Sequence, residues 1–265
     1  MSDARPFSRG VFYSQKSEKN YSLTRVKPSH RLSCLVETFW MVSWDLHNKP
    51  SHQQQNIPDP CIHIVFETRN SRIIGAVTKR YSVELVGKGL IFGIKFHPGG
   101  FYSLGKETVS TLTDASISIK AYFGEQSNDW VKHINAASDI ESKVQLAEDF
   151  LVPRIPNSVE NVEMLTQMLK RINNDAAILK VGDLADRYGL SERSLQRLFK
   201  HQVGVSPKWV IRKYRIQEVL SRLEQGDHEW KNLISGLDYF DQSHFIRDFK
   251  NLVGVTPTEY IKRLA

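Results

Sequence analysis

The most constraining feature of this 265-residue chain is a stretch of sequence that occurs twice, at residues 195–207 and again, 50 positions later, at residues 245–257. The identical positions are Arg197, Phe199, Lys200, Val203, Gly204, Val205 and Pro207, answered by Arg247, Phe249, Lys250, Val253, Gly254, Val255 and Pro257. A repeat of this period indicates a duplicated supersecondary unit. We therefore predict two copies of one motif, and each copy has the pattern of a helix-turn-helix.

Composition and charge narrow the class of protein. The net charge of +7 favours a polyanionic partner, but the excess of Lys and Arg is spread over both halves of the chain and does not identify one by itself. No apolar run approaches the roughly 18 residues of a membrane span, and the N-terminus lacks the apolar core of a signal peptide, so we expect a cytoplasmic protein. The two cysteines, Cys34 and Cys61, are too few for a disulfide framework or a four-cysteine zinc site.

The first half of the chain has the pattern of a β-rich domain. Residues 38–44, 61–66 and 90–96 are short runs of β-branched and aromatic residues, and clusters of glycine, proline and asparagine separate them. Several short strands at this spacing predict a small sandwich or barrel.

From about Trp130 the period becomes helical, and a break in the chain follows. Apolar residues share one helix face at Ile140, Val144, Ala147 and Leu151, and the helical stretch 138–151 is a candidate dimer seam. Pro153 and Pro156 then interrupt any helix. We predict an α+β multidomain chain: a β-rich sensor or dimerisation domain over 1–155 that ends in helices, and an all-α domain over 157–265.

Helical signals run through the second half. A first helix is marked by apolar residues at helical spacing, namely Val162, Leu165, Met168, Leu169 and Ile172. Residues 184–188 form a short second helix that ends at Gly189. Natural N-caps are supplied by hydroxyl side chains at Ser191, Ser206 and Thr256, the last two followed by proline at the favoured first position. A long helix with apolar positions from 210 to 223, ended by Gly226, joins the two copies.

The helix after Ser191 has two chemically distinct faces. Leu195, Leu198 and Phe199 form an inward apolar stripe. The opposite face carries side chains at i, i+3, i+4 and i+7 that suit nucleic acid: Arg193, Gln196, Arg197 and Lys200. Arginine grips guanine with two hydrogen bonds, glutamine pairs with adenine, and lysine suits phosphate. A single such helix is more simply a solvated face, but Arg and Lys in the same positions of two copies favour DNA binding.

These residues resemble a known family. Residues 184–200, and above all residues 241–257, are similar to the diagnostic stretches of the AraC/XylS-type DNA-binding domain, and the resemblance covers residues 157–265. It implies a transcription regulator with two recognition helices in adjacent major-groove segments about 34 Å apart. DNA-contacting positions carried over from the resemblance and the repeat are Arg193, Gln196, Arg197 and Lys200 in the first unit, and Gln242, Ser243, Ile246, Arg247 and Lys250 in the second.

The second unit departs from the family pattern at three positions. Ile234 stands where the first copy has the smaller Ala185, and Asp238 replaces the usual turn glycine. Ile246 replaces the hydrogen-bonding Gln196 and leaves an apolar contact such as a thymine methyl. We expect these changes to weaken the recognition of DNA bases by the second unit, and we expect its fold to be unchanged. His244 is equally compatible with a structural role and with phosphate binding.

Residues 26–124 resemble an N-terminal domain found on many AraC-type regulators. The resemblance lies in residues 39–40, 58–66 and 93–101. It implies a cupin-like module that senses an effector or dimerises, and it identifies no ligand.

The sequence gives no indication of an enzyme or a metal site in the first half. Histidines occur at His30, His47, His52, His63, His97 and His133, without the paired spacing of a metal site, and His63 is interpreted as a residue on the face of a strand. Nucleophile elbows, phosphate loops and dinucleotide fingerprints are absent from the sequence. Phe39, Trp40 and Trp44 are interpreted as core residues. We predict no catalytic residues, no metal and no cofactor.

We therefore predict a sequence-specific DNA-binding transcription regulator whose N-terminal domain modulates it. Its partners would be double-stranded DNA, with RNA polymerase, a small-molecule effector and a second copy of the chain as further candidates, and no membrane. The alternative is an enzyme that carries the same DNA-binding domain, such as a DNA-repair protein with a reactive cysteine. The residues leave open the operator, the effector, the oligomeric state, and whether transcription is activated or repressed.

Overall fold

The structure is a computed structural model, and it describes residues 19–105, 108–175, 177–227, 229–234, 237, 239 and 241–264. The described residues form a β-rich first half and an all-helical second half, which confirms the predicted α+β organisation.

The first half contains a six-stranded antiparallel sheet and a separate antiparallel pair of strands. The strands are β1 (Ser22–Val26), β2 (Val36–Asp45), β3 (His52–Asn56), β4 (His63–Phe66), β5 (Arg72–Ile74), β6 (Tyr81–Leu85), β7 (Lys88–Phe96) and β8 (Ser116–Ser118). The order in the large sheet is β1-β2-β7-β4-β5-β8, and β3 pairs with β6. The predicted strands at 38–44, 61–66 and 90–96 fall in β2, β4 and β7. The large sheet is open, with β1 and β8 at its edges, rather than closed into a barrel.

One face of the large sheet carries the core of the N-terminal half, because side chains alternate along each strand. Phe39 and Phe92 stack on this face with ring centroids 6.1 Å apart, and both are fully buried. The face is covered by helices α1 (Gly100–Gly105), α2 (Ile119–Phe123), α3 (Ser127–Ala136) and α4 (Ile140–Leu151). Trp130 of α3 joins the helices to the sheet, since its ring stacks on Phe150 at 3.9 Å and meets Phe66 edge-on at 4.9 Å.

The opposite face of the sheet places two tryptophans over two glycines. Trp40 and Trp44 of β2 are paired in register with Gly93 and Gly89 of β7. A Cβ added to Gly93 would lie 2.1 Å from Cε2 of Trp40, and one added to Gly89 would lie 2.1 Å from Cζ2 of Trp44. The indole rings therefore occupy the space that side chains on β7 would need. Of the three predicted core aromatics, Phe39 is fully buried, whereas Trp40 and Trp44 are half-buried.

The apolar face over 138–151, which we predicted as a dimer seam, packs against other parts of the same chain. Helix α4 begins at Ile140, capped by Asp139, whose carboxylate accepts a hydrogen bond from the amide of Ser142 at 2.7 Å. Its apolar stripe is buried in the N-terminal core, with Ala147 and Leu151 fully inaccessible. The apolar stripe that we predicted as a candidate dimer seam is therefore occupied within the N-terminal core of the same chain.

All regular secondary structure among the described residues of the second half is helical. Its helices are α5 (Val162–Asn174), α6 (Val181–Arg187), α7 (Glu192–Gln202), α8 (Pro207–Glu224), α9 (Trp230–Leu233), α10 (Gln242–Val253) and α11 (Pro257–Leu264). The predicted N-caps are confirmed: Ser191, Ser206 and Thr256 each accept a hydrogen bond from the amide three residues ahead, at 3.1–3.2 Å. Gly226 follows α8 with φ of +92°, which fits its predicted role at the end of that helix.

Two apolar cores hold these helices, and the linker helix α8 contributes to both. Val210 and Ile211 lie in the core of the first unit, while Val219 and Leu223 lie in the core of the second. The proline break falls between α4 and α5, around a short 3₁₀ helix at Val152–Arg154. The division of the chain into independent domains at this break stays a prediction.

We expect Gly93→Ala to destabilise the protein by about 1–3 kcal/mol, because the new methyl group collides with the indole of Trp40. Gly182→Ala is the matched control. Gly182 lies in α6, where a Cβ would meet only Oε1 of Glu192, at 3.1 Å, so this change should stabilise the helix by up to about 1 kcal/mol. Urea unfolding of both variants measures the two effects. A Gly93→Ala protein as stable as wild type would contradict the packing described here.

Candidate nucleic-acid interface

The first helix-turn-helix unit consists of α6, a glycine turn and α7. Gly189 adopts φ of +63°, as its turn position was predicted to require, and the amide of Leu190 donates to the carbonyl of Ala185 at 3.0 Å. Ala185 is 1% exposed, and its small side chain lets α6 approach α7 closely. Leu195 and Phe199 are fully buried, so the inner face of α7 is fixed against the first core.

The outer face of α7 presents the four side chains predicted to contact DNA. Arg193, Gln196, Arg197 and Lys200 are all exposed. Among the described residues, no ion pair or hydrogen bond holds these four side chains. Exposed arginines without an intramolecular partner are available to base edges and phosphates.

The second unit keeps the fold with a shorter first helix. Helix α9 spans a single turn, Trp230–Leu233, and the indole of Trp230 stacks on Phe245 of α10 with centroids 5.8 Å apart. Ile234, the larger residue at the position of Ala185, is 8% exposed and packs in the second core. Asp241 caps α10 by accepting a hydrogen bond from the amide of His244 at 2.7 Å. The predicted turn residue Asp238 lies outside the described residues.

Of the five α10 residues predicted to contact DNA, four are exposed and one is half-buried. Gln242, Ser243, Arg247 and Lys250 are exposed. Ile246 is only half-buried, and its side chain packs against the second core. At the position where α7 exposes Gln196, α10 thus offers a smaller apolar surface.

An ion pair that the sequence analysis missed attaches α10 to the linker helix. Asp248 is 8% exposed and accepts from Nη1 of Arg212 on α8 at 3.1 Å. Nε2 of His244 lies 3.6 Å from the same carboxylate, and the ring of Tyr239 meets the imidazole edge-on at 5.3 Å. His244 therefore makes the contacts expected of a residue with a structural role. The repeat contained evidence for this ion pair, because Asp248 stands where the first copy has the apolar Leu198. A charged residue on the inward face of a helix requires a partner.

The N-terminal half contains a cluster of charged groups next to the linker helix. Lys95 of β7 bridges Asp59 at 2.9 Å and Glu37 at 3.2 Å. Burial is the largest single influence on Asp59 and by itself would raise its pKa, but the charges of Lys95, Lys213 and His63 and the hydrogen bond to Lys95 together hold the pKa below the usual range. His63, on the same face of the sheet, accepts a hydrogen bond at Nδ1 from the indole of Trp40 at 3.3 Å. Burial lowers the pKa of His63 to about 4.

The predicted candidates for metal or cysteine chemistry do not come together. Histidine, cysteine and carboxylate side chains of the described residues form no group of three that would hold a metal ion. Cys34 is exposed and Cys61 is buried. Burial, and then the neighbouring Asp59 carboxylate, raise the pKa of the Cys61 thiol well above its ordinary value, which keeps it protonated. Each helix in the described part of the chain is too short or too polar to cross a membrane.

His63 should make stability depend on pH. A histidine with a lowered native pKa resists protonation, whereas the unfolded chain takes up a proton below pH 6.5, so stability falls as the pH drops from 6.5 to about 4. We expect His63→Gln to flatten this part of the stability profile measured by urea unfolding. His133→Gln, which changes an exposed histidine on α3, is the control. Identical profiles for His63→Gln and wild type would exclude the assigned role.

Two family models match the chain. Residues 24–118 match a domain of unknown function (DUF6597), and residues 184–263 match a helix-turn-helix domain. The second match begins within α6 and covers the rest of both units described above.

Named relatives match the chain over part of their length. The HTH-type transcriptional activator RhaS of Pectobacterium carotovorum is 29% identical over 85 residues, which are 32% of this chain and 30% of that protein. The uncharacterised regulator YtdP of Bacillus subtilis is 23% identical over 205 residues, 76% of this chain and 24% of that protein. YidL of Escherichia coli, also an uncharacterised HTH-type regulator, is 33% identical over 82 residues, 31% and 28% of the two chains. This chain therefore spans less than a third of the length of these relatives.

A solved structure of ToxT from Vibrio cholerae O395 aligns with 93% of this chain and 99% of that one, at 14% identity and a TM-score of 0.38. A TM-score this low does not establish a common fold. Residues 184–263 therefore form a helix-turn-helix domain that is similar to part of named HTH-type transcriptional regulators.

Proposed function

We propose that this protein regulates transcription by binding double-stranded DNA sequence-specifically, with α7 and α10 in adjacent major-groove segments. The observation that carries the proposal is the pair of matching outer faces. Arg197 and Lys200 of α7 have exposed counterparts at Arg247 and Lys250 of α10, and the phenylalanine in each intervening segment, Phe199 or Phe249, is fully buried. Buried inner faces fix the direction of each helix, so both sets of cations project from the protein at defined positions.

The two helices would divide the work of binding. Helix α7 offers Arg193, Gln196 and Arg197 to base edges, with Lys200 suited to phosphate. Helix α10 offers Arg247 together with Gln242 and Ser243 near its N-terminus, where free amides favour phosphate oxygens. Since Ile246 is partly withdrawn into the core, α10 would contribute more to affinity than to base reading.

The N-terminal domain would carry regulation. Because the N-terminal domain contacts the helical half, a small-molecule effector or a second copy of the chain that binds to it would alter DNA binding. RNA polymerase is a further partner that this function requires if transcription is activated. The enzymatic alternative, DNA repair by a reactive cysteine, needs a thiolate, and the raised pKa of Cys61 argues against that role for it. We propose that function requires no catalysis.

Selection of DNA from a random library by the full-length protein tests the function. We expect an enriched sequence with two half-sites roughly one helical turn apart, about 10 base pairs. Affinity for this sequence should fall linearly with salt in a log–log plot, because bound phosphates release counterions. Lys132→Ala, on exposed surface of α3, is a control that should keep full affinity. A library that yields no enriched sequence, or an affinity insensitive to salt, would contradict the proposal.

The two recognition helices should contribute unequally. A bidentate base contact discriminates by roughly 1–3 kcal/mol, so Arg197→Ala should relax base preference in one half of the selected site. Arg247→Ala should weaken binding with a smaller change in base preference, as expected for an arginine that mainly meets phosphate. Parallel selections at one salt concentration compare the two variants. An equal loss of preference in both halves of the site would show that Ile246 has no effect on readout.

A further inference from the structure

The repeat places a glycine at the end of each recognition helix, and both glycines lie against the N-terminal domain. Gly204 follows α7 with φ of +92°, and Gly254 follows α10 with φ of +87°. Their amides donate to the carbonyls of Phe199 and Lys250, at 2.9 and 2.8 Å, and so end the two helices. Glycine suits the left-handed conformation, and without a side chain it also leaves room for another element to approach.

At Gly204 the approaching element is the 3₁₀ helix Val109–Leu112 and the residue after it. Oγ1 of Thr113 donates to the carbonyl of Gly204 at 2.6 Å. A Cβ added to Gly204 would lie 3.0 Å from Thr113 Oγ1 and 3.1 Å from Cγ1 of Val109. Ala76, which follows β5, is fully buried within the core of the first unit. The N-terminal domain therefore packs directly on the first unit.

At Gly254 the approaching element is the end of the β3–β6 pair. A Cβ added to Gly254 would lie 2.6 Å from Cζ of Arg80, so the guanidinium covers this glycine. Arg80 also donates from Nη1 to Oε1 of Gln55, at 3.3 Å. A cation is favoured here because the carbonyls at the C-terminal end of α10 carry partial negative charge. Ile57, just beyond β3, is 4% exposed and packs in the core of the second unit.

Between these two contacts the N-terminal domain faces the linker helix. Lys213 of α8 is 6% exposed and lies over the ring of Tyr214, with its ammonium 4.0 Å from the ring centroid. It lies within the electrostatic influence of Asp59, which is held by Lys95. The N-terminal domain thus packs on the first and the second unit, and it places Asp59 within electrostatic reach of the linker helix between them.

None of these contacts covers the DNA-reading faces. They fall at the C-terminal ends of α7 and α10, whereas Arg193, Arg197 and Arg247 remain exposed on the outer faces. The docked N-terminal domain therefore does not act by blocking DNA. Instead, the N-terminal domain constrains the position of one helix-turn-helix unit relative to the other. Without the N-terminal domain, this position would depend on α8 alone.

We propose that the N-terminal domain is a spacing clamp: by seating on Gly204 and Gly254 together, it fixes the separation of the two recognition helices and selects the distance between DNA half-sites. The inference rests on the proposed function. One added base pair moves the second half-site by about 3.4 Å along the duplex and about 35° around it, so a rigid pair of helices must reject it. An effector that shifts the Thr113 segment relative to Arg80 would change the preferred spacing.

The test uses the full-length protein and the two half-sites that it selects, joined with zero, one or two base pairs added or removed. We expect wild type to prefer one spacing by about tenfold or more, equivalent to about 1.4 kcal/mol. The double variant Thr113→Val with Arg80→Ala should reduce the preference to about threefold or less while still binding the best spacing. The matched control is Thr111→Val with Arg69→Ala, which changes a threonine hydroxyl bonded within its own turn and an exposed arginine beside β5.

Hydrogen–deuterium exchange tests the two contacts separately and also reports on folding. Thr113→Val should raise exchange at residues 203–205 and not at 253–255, and Arg80→Ala should do the reverse. If wild type binds no DNA, the proposed function and the clamp both fail. If DNA binding and base preference persist but the double variant keeps the wild-type spacing preference, or exchange at both glycine segments is unchanged, the clamp is overturned and the proposed function stands.

Discussion

Burial of two aromatic or aliphatic side chains on the inner face of each recognition helix is the interaction on which the other features depend. Leu195 and Phe199 in α7, and Phe245 and Phe249 in α10, are fully inaccessible. Truncating one such Phe to Ala costs about 3–5 kcal/mol, a large share of the 5–15 kcal/mol that keeps a domain folded. Because four residues make slightly more than one helical turn, burying these positions directs Gln196, Arg197 and Arg247 outward.

The same interaction explains why the two units are not equivalent. In the first unit one position of α7 is the apolar Leu198, which is half-buried and packs against the first core. In the second, Asp248 occupies the corresponding position and is stabilised by Arg212 of the linker helix. A buried carboxylate is costly unless it is paired, and the pair gives α10 a directional attachment to α8 that α7 lacks. The orientation of the second recognition helix therefore depends on the linker helix as well as on its core.

Much of this organisation was predictable because it depends on local chemistry. The offset of 50 identified two copies of one unit, the hydroxyls of Ser191, Ser206 and Thr256 marked helix starts, and Gly189 marked a turn that requires positive φ. Capping and turn conformations are decided within a few residues, so a sequence expresses them directly. The outward position of Arg193 and Arg197 followed from helical periodicity for the same reason.

Contacts between distant segments were decided only by the tertiary structure. The apolar stripe on α4 was predicted from the sequence as a dimer seam, and only the folded structure shows that it is buried in the N-terminal core. Likewise, the sequence identifies Gly204 and Gly254 only as repeated glycines, and no residue near them in the sequence indicates that Thr113 and Arg80 pack on them. The sequence by itself determined the two helix-turn-helix units and their outward cations, since these follow from local periodicity. Tertiary packing decided what holds the two units together, because that depends on which distant surfaces become buried against each other.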